Sequence, residues 1–481
     1  MSLLPPKTAP SALGMGVEQP ADTRVLAAAA VAAVLTDLAV RSGVTGVAGS
    51  LLVLAVVVGV LASGRVVGAQ AAGVVAAAVP FGICLSVRMS PWLLPFDVLA
   101  IGGLLVLGAS LARGGSLLDL PIPSLAVRAL HAVGHGVAAP AFVAATLERR
   151  RSTAVLRGVG LALPLLVVLG LLLASADAVF AGFFQWWSPV TVITHAALLG
   201  VGAWAMAGLL RLSSAEPPPP VPALPFRLGH VEATVVLGSL MALFGAFAVA
   251  QVVAIAGGGR HVLQTAGLTY AEYARTGFFQ LLAVAAITLV ALVGLRAVTD
   301  LDDSGHRLRF TVLAEAAIAL TLVIVAVALR RLGLYQDAYG LTMLRLYSSV
   351  FAVWIAIVLV LAGCGVAGVA GGRAWLFGAA TVAGLGLLLG LNVVNPEAIV
   401  VRHNVDRAVR TQKVDPAYLA ELSDDAVPAL GRALPRLPEP ARTEVLGAVC
   451  AGAQPSPDGW AAANTSRRRE AETNQQVCRV L

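Results

Sequence analysis

The stretch LYQDAYGLTMLRLYSSVF, from Leu334 to Phe351, sets a Gly-Leu-Thr triplet among tyrosines where an apolar run begins. A similar stretch, GLTYAEYARTGFF, runs from Gly267 to Phe279. Together they hold five of the six tyrosines in the chain. Tyrosine is enriched at membrane–water interfaces, where its ring is buried and its hydroxyl stays hydrated. We therefore expect both stretches to be points where the chain enters a membrane, with Thr269 and Thr342 as N-caps of the helices that follow.

The two stretches align with each other without a gap, and this register places Glu272 opposite Arg345. Glu272 has the spacing of a capping box, whereas a cation at the same position faces the positive end of the helix dipole. An anion should therefore compensate Arg345, and the candidates are Glu272, Asp337 or a ligand. Two interpretations stay open. Tyr339, Arg275 and Arg345 either anchor helix ends among lipid headgroups, or the two stretches reflect an internal duplication or a paired polar site.

The composition indicates a membrane protein, because 58% of the residues are hydrophobic and only 12% are charged. Such values exclude an ordinary soluble domain. Apolar runs of about 20 residues, enough to cross roughly 30 Å of hydrocarbon, recur along the chain. We predict an all-α, polytopic fold with about eleven transmembrane helices, at residues 25–40, 44–64, 66–87, 92–112, 157–176, 190–210, 231–256, 278–298, 310–329, 342–364 and 374–394.

The loops predict an orientation, since Lys and Arg concentrate in alternate connections and mark the cytoplasmic side. The N-terminal tail, residues 1–24, is then cytoplasmic, and both tyrosine stretches are external. A Pro-rich linker at 213–230 divides the membrane region into halves at 25–212 and 231–394. We predict an interfacial helix at about 122–150, on the cytoplasmic side, with its histidines on a polar face.

Residues 395–481 form a charged segment with several helix-like runs and regularly placed prolines. We predict a small helical cap there, outside the membrane on the extracytoplasmic side. Cys450 and Cys478 both fall in this segment, and an oxidising compartment would allow them to form a disulfide.

Two acidic residues, Asp97 and Glu315, lie deep within predicted spans. An intramembrane carboxylate is costly and marks either a function or a partner on a neighbouring helix. Desolvation raises the pKa of such a group, so the pair would suit proton transfer. The alternative is that each carboxylate makes a structural hydrogen bond.

The chain carries no recognised catalytic motif: the G-x-S-x-G, H-E-x-x-H, Cys-x-x-Cys and Walker patterns are all missing. His131 and His135 have the spacing of metal ligands, yet no Cys or Glu accompanies them. We therefore expect no enzymatic activity, no cofactor, no metal and no nucleic-acid partner.

Several stretches resemble one known family, namely YAEYARTGFFQLL, AYGLTMLRLY, ASADAVFAGFF, NPEAIVVRHN, DPAYLAELSDDAVPAL and the W-x-x-x-N-x-S-R pattern at 460–467. They resemble bacterial polytopic membrane proteins described only as a domain of unknown function, DUF4173, which is close to DUF4153. The resemblance runs from about Asp97 onward. It implies a protein of the bacterial cytoplasmic membrane and implies no activity or cofactor.

Two classes of function follow from these patterns. The first is a non-enzymatic sensor, scaffold or accessory component of the cell envelope, embedded in the lipid bilayer, whose external turns and cap contact a protein partner. The alternative is a proton-coupled transporter or flippase, with Asp97, Glu315 and Arg345 along its pathway.

Overall fold

The computed structural model describes Val17, residues 21–149, scattered positions between 162 and 176, and residues 189–219, 227–256, 277–369, 374–452 and 459–480. The regular elements in these residues are helices. Glu272 and Arg275 lie outside the described residues. So do the rest of the 267–276 stretch and much of the predicted span at 157–176.

The described α-helices follow one another in chain order as α1 (Thr23–Ser42), α2 (Val47–Ala62), α3 (Ala69–Ala76), α4 (Ala78–Cys84), α5 (Leu94–Ser110), α6 (Ile122–Val137), α7 (Ala139–Arg149), α8 (Pro189–Ser213), α9 (His230–Ala256), α10 (Phe278–Val298), α11 (Ser304–Tyr339), α12 (Met343–Val366), α13 (Leu376–Val394), α14 (Pro396–Thr411), α15 (Pro416–Ala420), α16 (Val427–Ala433), α17 (Ala441–Ala451) and α18 (Thr465–Val477).

Seven of these helices, α1 and α8 to α13, are long and apolar enough to cross a membrane. The predicted spans at 44–64, 66–87 and 92–112 correspond to shorter apolar helices. The middle one is divided into α3 and α4 at Ala77, because Pro80 has no N–H to donate to the carbonyl four residues earlier. The helical, membrane-type fold is thus confirmed over the described residues, whereas the count of about eleven spans stays a prediction.

The buried apolar side chains of the bundle form two clusters. One joins α1 to α5 with α8, and the other joins α9 to α12. The Pro-rich segment after α8 lies between these clusters in the chain. The last membrane helix, α13, packs Phe377, Leu385 and Leu388 against the first cluster and also contacts α12, so it links the two.

Helix α11 is longer than the span predicted at 310–329. Its 36 residues extend over ~54 Å at 1.5 Å per residue, well beyond the roughly 30 Å of a hydrocarbon core. Tyr335, Asp337 and Tyr339, which follow the span predicted at 310–329, therefore lie on its last turns. The true connection is short. Thr342 then caps α12 as predicted, with its hydroxyl accepting from the Arg345 amide at 3.4 Å.

Helices α6 and α7 occupy the region predicted as an interfacial helix, but the orientation of α6 differs from the prediction. His131 and His135 are buried, with their Nε2 atoms 3.2 Å apart, and His135 also contacts Arg211 of α8. The exposed face carries apolar residues instead, among them Leu130 and Val133. A helix at the edge of a membrane bundle directs its polar groups inward because its outer surface faces lipid.

The C-terminal segment, 395–480, forms a third cluster of buried side chains from α14, α16 and α17. A disulfide joins Cys450 to Cys478, whose Cα atoms are 5.7 Å apart. We call this segment the cap. It lies at the end of the bundle that carries the α1–α2, α4–α5 and α11–α12 connections, and we call this the cap end.

The connections of the opposite end contact one another in pairs. Val67 donates to the carbonyl of Ala112, Ala374 donates to the carboxylate of Asp119, and Leu228 forms a bridge with Thr299. The charge distribution predicts that the cap end is external and the opposite end cytoplasmic. Which end faces the cytoplasm stays a prediction.

Candidate functional site

A group of buried polar side chains attaches the cap to the bundle, and we call it the junction. Its members come from the α4–α5 connection, from α13 and from the cap: Arg88, Ser90, Asn392, Glu397, Ser423, Asp425, Asn464 and Ser466.

Glu397 lies at the start of α14. The Asn395 side chain caps this helix by accepting from the Ala398 amide at 3.1 Å, and Pro396 occupies the first helical position, where its missing N–H costs nothing. Glu397 is 1% exposed. Its Oε1 accepts from the Ser90 hydroxyl at 2.7 Å, and its Oε2 accepts from the amide and hydroxyl of Ser423 at 2.9 and 2.7 Å. The carboxylate therefore joins the bundle to two parts of the cap.

Asp425 makes the complementary connection and is 2% exposed. Its Oδ2 accepts from the backbone amides of Met89 and Ser90 at 3.0 and 2.9 Å. Its Oδ1 accepts from the Ser466 hydroxyl and lies 3.9 Å from Nη1 of Arg88. All four carboxylate oxygens of Glu397 and Asp425 thus accept hydrogen bonds: Oε1 of Glu397 and Oδ2 of Asp425 from the bundle, and the other two from the cap itself.

Arg88 and Asn392 continue the junction into the membrane helices. Arg88 donates to the carbonyls of Asn392 and Val393 at 2.6 and 3.0 Å, which satisfies acceptors at the end of α13 and places a cation at its negative pole. The Asn392 amide donates to Oδ1 of Asp97 at 2.8 Å. Asp97 is 2% exposed in the first turn of α5, so it borders the junction.

Glu315, the other intramembrane carboxylate, lies in a different part of the bundle. It belongs to α11, and its Oε2 would lie 3.1 Å from a Cβ built on Gly363 of α12. Its Oε1 is buried and makes no hydrogen bond with a described residue. The described contacts of Asp97 and Glu315 do not bring the two together.

Asn464 is the asparagine of the W-x-x-x-N-x-S-R pattern, and its side chain makes several hydrogen bonds. Its Nδ2 donates to the carbonyls of Thr45, Leu85 and Arg88 at 2.9, 3.1 and 3.2 Å, and its Oδ1 accepts from the Ser466 amide at 2.8 Å. One side chain thus connects two loops of the bundle to the start of α18.

The predicted polar residues of the tyrosine stretch have other partners than expected. Arg345 donates to the carbonyl of Gly340 at the end of α11, and its guanidinium lies 4.2 Å from the centre of the Tyr335 ring. The negative pole of α11 and the ring thus offset the cation. Among the described residues no ion pair joins Asp337 to Arg345, and Tyr339 is half exposed.

Sequence reasoning missed the cap residues that hold this turn. Asn404 accepts from the Leu341 amide at 2.9 Å and donates to its carbonyl at 2.7 Å. Arg407 donates to the carbonyls of Asp337 and Ala338, and the Tyr418 hydroxyl accepts from the Met343 amide at 2.8 Å. Asn404 and Tyr418 lie within the cap motifs quoted above, and Arg407 closely follows one of them. These motifs were the only feature of the sequence that pointed to the three residues.

Gly340 permits this close contact. Its φ of +84° lies where side chains are disfavoured, and a Cβ would lie 2.5 Å from Oδ1 of Asn404. Within the described part of the chain, no group of three or more His, Cys, Asp or Glu residues is arranged to hold a metal ion.

Burial raises the pKa of the Glu397 carboxyl, although hydrogen bonds from Ser90 and Ser423 oppose the shift. A raised pKa means that the protonated form adds stability. This contribution is complete below the pKa of an unfolded Glu, about 4.3, and is lost as the pH rises through the higher pKa of the folded chain.

We expect Glu397→Gln to remove this part of the pH dependence of cap stability. Unfolding midpoints of the cap should be measured in detergent from neutral to acidic pH. The wild-type midpoint should rise relative to that of the variant as the pH falls. Glu439→Gln is the control, because hydrogen bonds from Arg442 and Thr443 lower the pKa of that exposed carboxyl and give the opposite sign. If the unfolding midpoints of wild type and Glu397→Gln change with pH in parallel, the raised pKa of Glu397 is contradicted.

We expect Asn464→Asp to detach the start of α18, since a carboxylate would then face three carbonyl oxygens in a buried site. Loss of a buried hydrogen-bond partner costs about 1–3 kcal/mol, and more when a charge is involved. Gln475→Glu is the matched control, an amide-to-acid change at an exposed position of α18. Limited proteolysis of the cap should be faster for the first variant alone. Equal rates would show that the Asn464 contacts are dispensable.

A family model described as a domain of unknown function, DUF4153, matches residues 75–433, which is well over half of the chain. This match confirms the resemblance seen in the sequence. Of the two related families named there, DUF4153 is the one whose model matches the chain. No curated protein and no solved structure matches the chain. The chain therefore belongs to the DUF4153 family, and its apolar helices indicate a membrane protein.

Proposed function

We propose that this protein is a non-enzymatic component of the cell envelope, a scaffold or sensor whose cap is fixed to the membrane helices and contacts a protein partner. One observation carries the proposal: each buried carboxylate of the junction accepts hydrogen bonds from the bundle through one oxygen and from the cap through the other.

Catalysis or ion transport would require a different environment for these carboxylates. A general acid must reach the substrate atom that it protonates, and a residue that carries protons across the membrane must contact water or substrate. Glu397 and Asp425 are 1% and 2% exposed, and their neighbours are donors from the chain itself. Such a network fixes two parts of a structure relative to each other.

A fixed cap presents its outer surface in a constant orientation. Trp460 is 61% exposed in the turn of the cap that packs beside α1 and α2, and exposed tryptophans are frequent anchors of protein interfaces. The partner surface in our proposal includes this residue.

In this model of function the N-terminal tail lies in the cytoplasm of a bacterial cell, and the cap lies outside the cytoplasmic membrane. This orientation follows from the Lys and Arg distribution. A disulfide between Cys450 and Cys478 agrees with an oxidising compartment.

Labelling of intact cells tests this orientation. Trp460→Cys and Arg227→Cys probe the cap end and the opposite end at similarly exposed positions, in a background with Cys84 and Cys364 replaced by Ser. A membrane-impermeant maleimide should label the first variant in intact cells and the second only after permeabilisation. The reverse pattern would invert the proposed topology.

A proton-coupled transporter is the alternative, favoured by Asp97 and by the Glu315 oxygen that makes no hydrogen bond with a described residue. Proteoliposomes with an internal pH-sensitive dye separate the two functions. We expect wild type, Asp97→Asn and the exposed control Asp302→Asn to give the proton flux of protein-free liposomes. A flux that only Asp97→Asn abolishes would establish transport and refute the scaffold.

A further inference from the structure

An apolar crevice opens on the side of the bundle between α5, α10, α12 and α13. Its volume is about 500 Å³. The side chains that shape it include Phe96, Phe351, Trp354, Leu388 and Leu391. Phe96 and Phe351 are each 48% exposed, so the mouth of the crevice lies on the surface that faces lipid.

The walls offer almost no polar group to a ligand. Trp354 donates its indole N–H to the Ala380 carbonyl at 3.0 Å, and Ser348 is nearly buried. Gly384 leaves room for the indole, since a Cβ there would lie 3.1 Å from Nε1 of Trp354. A polar ligand or ordered water would find few partners, so the occupant has to be apolar.

The crevice is elongated along two of the helices that form it. The lining residues run from Tyr347 to Trp354 on α12 and from Gly384 to Leu391 on α13, which is ~10 Å along each helix. The crevice therefore runs along the helix axes, which is the direction in which lipid chains lie.

We propose that this crevice is a binding site for one acyl chain of a bilayer phospholipid. The chain enters from the surrounding membrane through the mouth at Phe96 and Phe351 and lies parallel to α12 and α13. Burial of methylene groups against aromatic rings and leucines supplies the binding energy through close packing.

The crevice adjoins the junction through Tyr347. Its ring lines the crevice and stacks on Trp92 and Phe96, with ring centres 5.8 Å apart in each pair. Its hydroxyl is buried, and the side chain also packs against the cluster that includes Val400 of α14 in the cap. An acyl chain in the crevice therefore contacts a side chain that also borders the attachment of the cap.

Photo-crosslinking tests the site with full-length protein in nanodiscs of phosphatidylglycerol that carries a diazirine in one acyl chain. The protein is then extracted and washed in detergent before irradiation, which removes loosely associated lipid. Adducts should remain on Phe351 and Leu388 and be lost from Leu344 and Val382, which are exposed positions on the same two helices.

Two substitutions complete the design. Val350→Trp fills the crevice and should reduce adducts on Leu388 to the level at Val382. Val360→Trp is the matched control, since it makes the same change at a half-exposed position of α12 outside the crevice, and it should leave the adducts unchanged. Leu387→Trp, on the opposite wall, repeats the test if Val350→Trp does not fold.

Crevice adducts that wash out as readily as those at Val382 would overturn the proposal, as would adducts that persist in both filling variants. A photo-reactive residue in place of Phe351 that crosslinks to protein instead of lipid would also overturn it, because a polypeptide would then occupy the crevice.

Discussion

The buried carboxylates of Glu397 and Asp425 require hydrogen-bond donors in place of water, and the contacts at the cap end of the molecule are arranged around this requirement. Removing a carboxylate from water costs several kcal/mol unless hydrogen bonds replace the lost hydration. Asp425 obtains them from the backbone of the α4–α5 connection, and Glu397 obtains them from Ser90 and Ser423. Detaching the cap would leave donors and acceptors unsatisfied on both surfaces, so the cap and the bundle are stable as one unit.

The same principle applies to the ends of the membrane helices, where terminal amides and carbonyls have no partner within the helix. Arg88 satisfies the end of α13, Arg407 and Asn404 satisfy the end of α11 and the following turn, and Tyr418 satisfies the start of α12. Polar side chains of the cap and of the α4–α5 connection thus supply the hydrogen bonds that water supplies at the ends of a helix in a soluble protein. This arrangement explains why a charged segment follows so apolar a chain.

The crevice and the junction meet at Tyr347, which gives the two halves of the bundle a shared boundary. Helix α13 packs against the first apolar cluster and α12 against the second, and the crevice lies between them. Any change in how these helices pack must therefore move a side chain that borders the junction. A lipid in the crevice and the attachment of the cap would be coupled through this one ring.

The sequence alone determined the membrane-type helical fold, the N-cap at Thr342, the helical content of residues 395–481 and the family. These properties depend on composition and short-range spacing, which a single chain displays directly. Only the tertiary structure decided that α11 continues through Tyr339, that the histidines of α6 face inward and that Asp97 pairs with Asn392. It also decided that Glu397 and Asp425 form the junction, because their partners in the bundle lie more than three hundred residues away in the chain. No local pattern encodes the partner of a buried charge, since that partner is chosen by the packing of the whole chain.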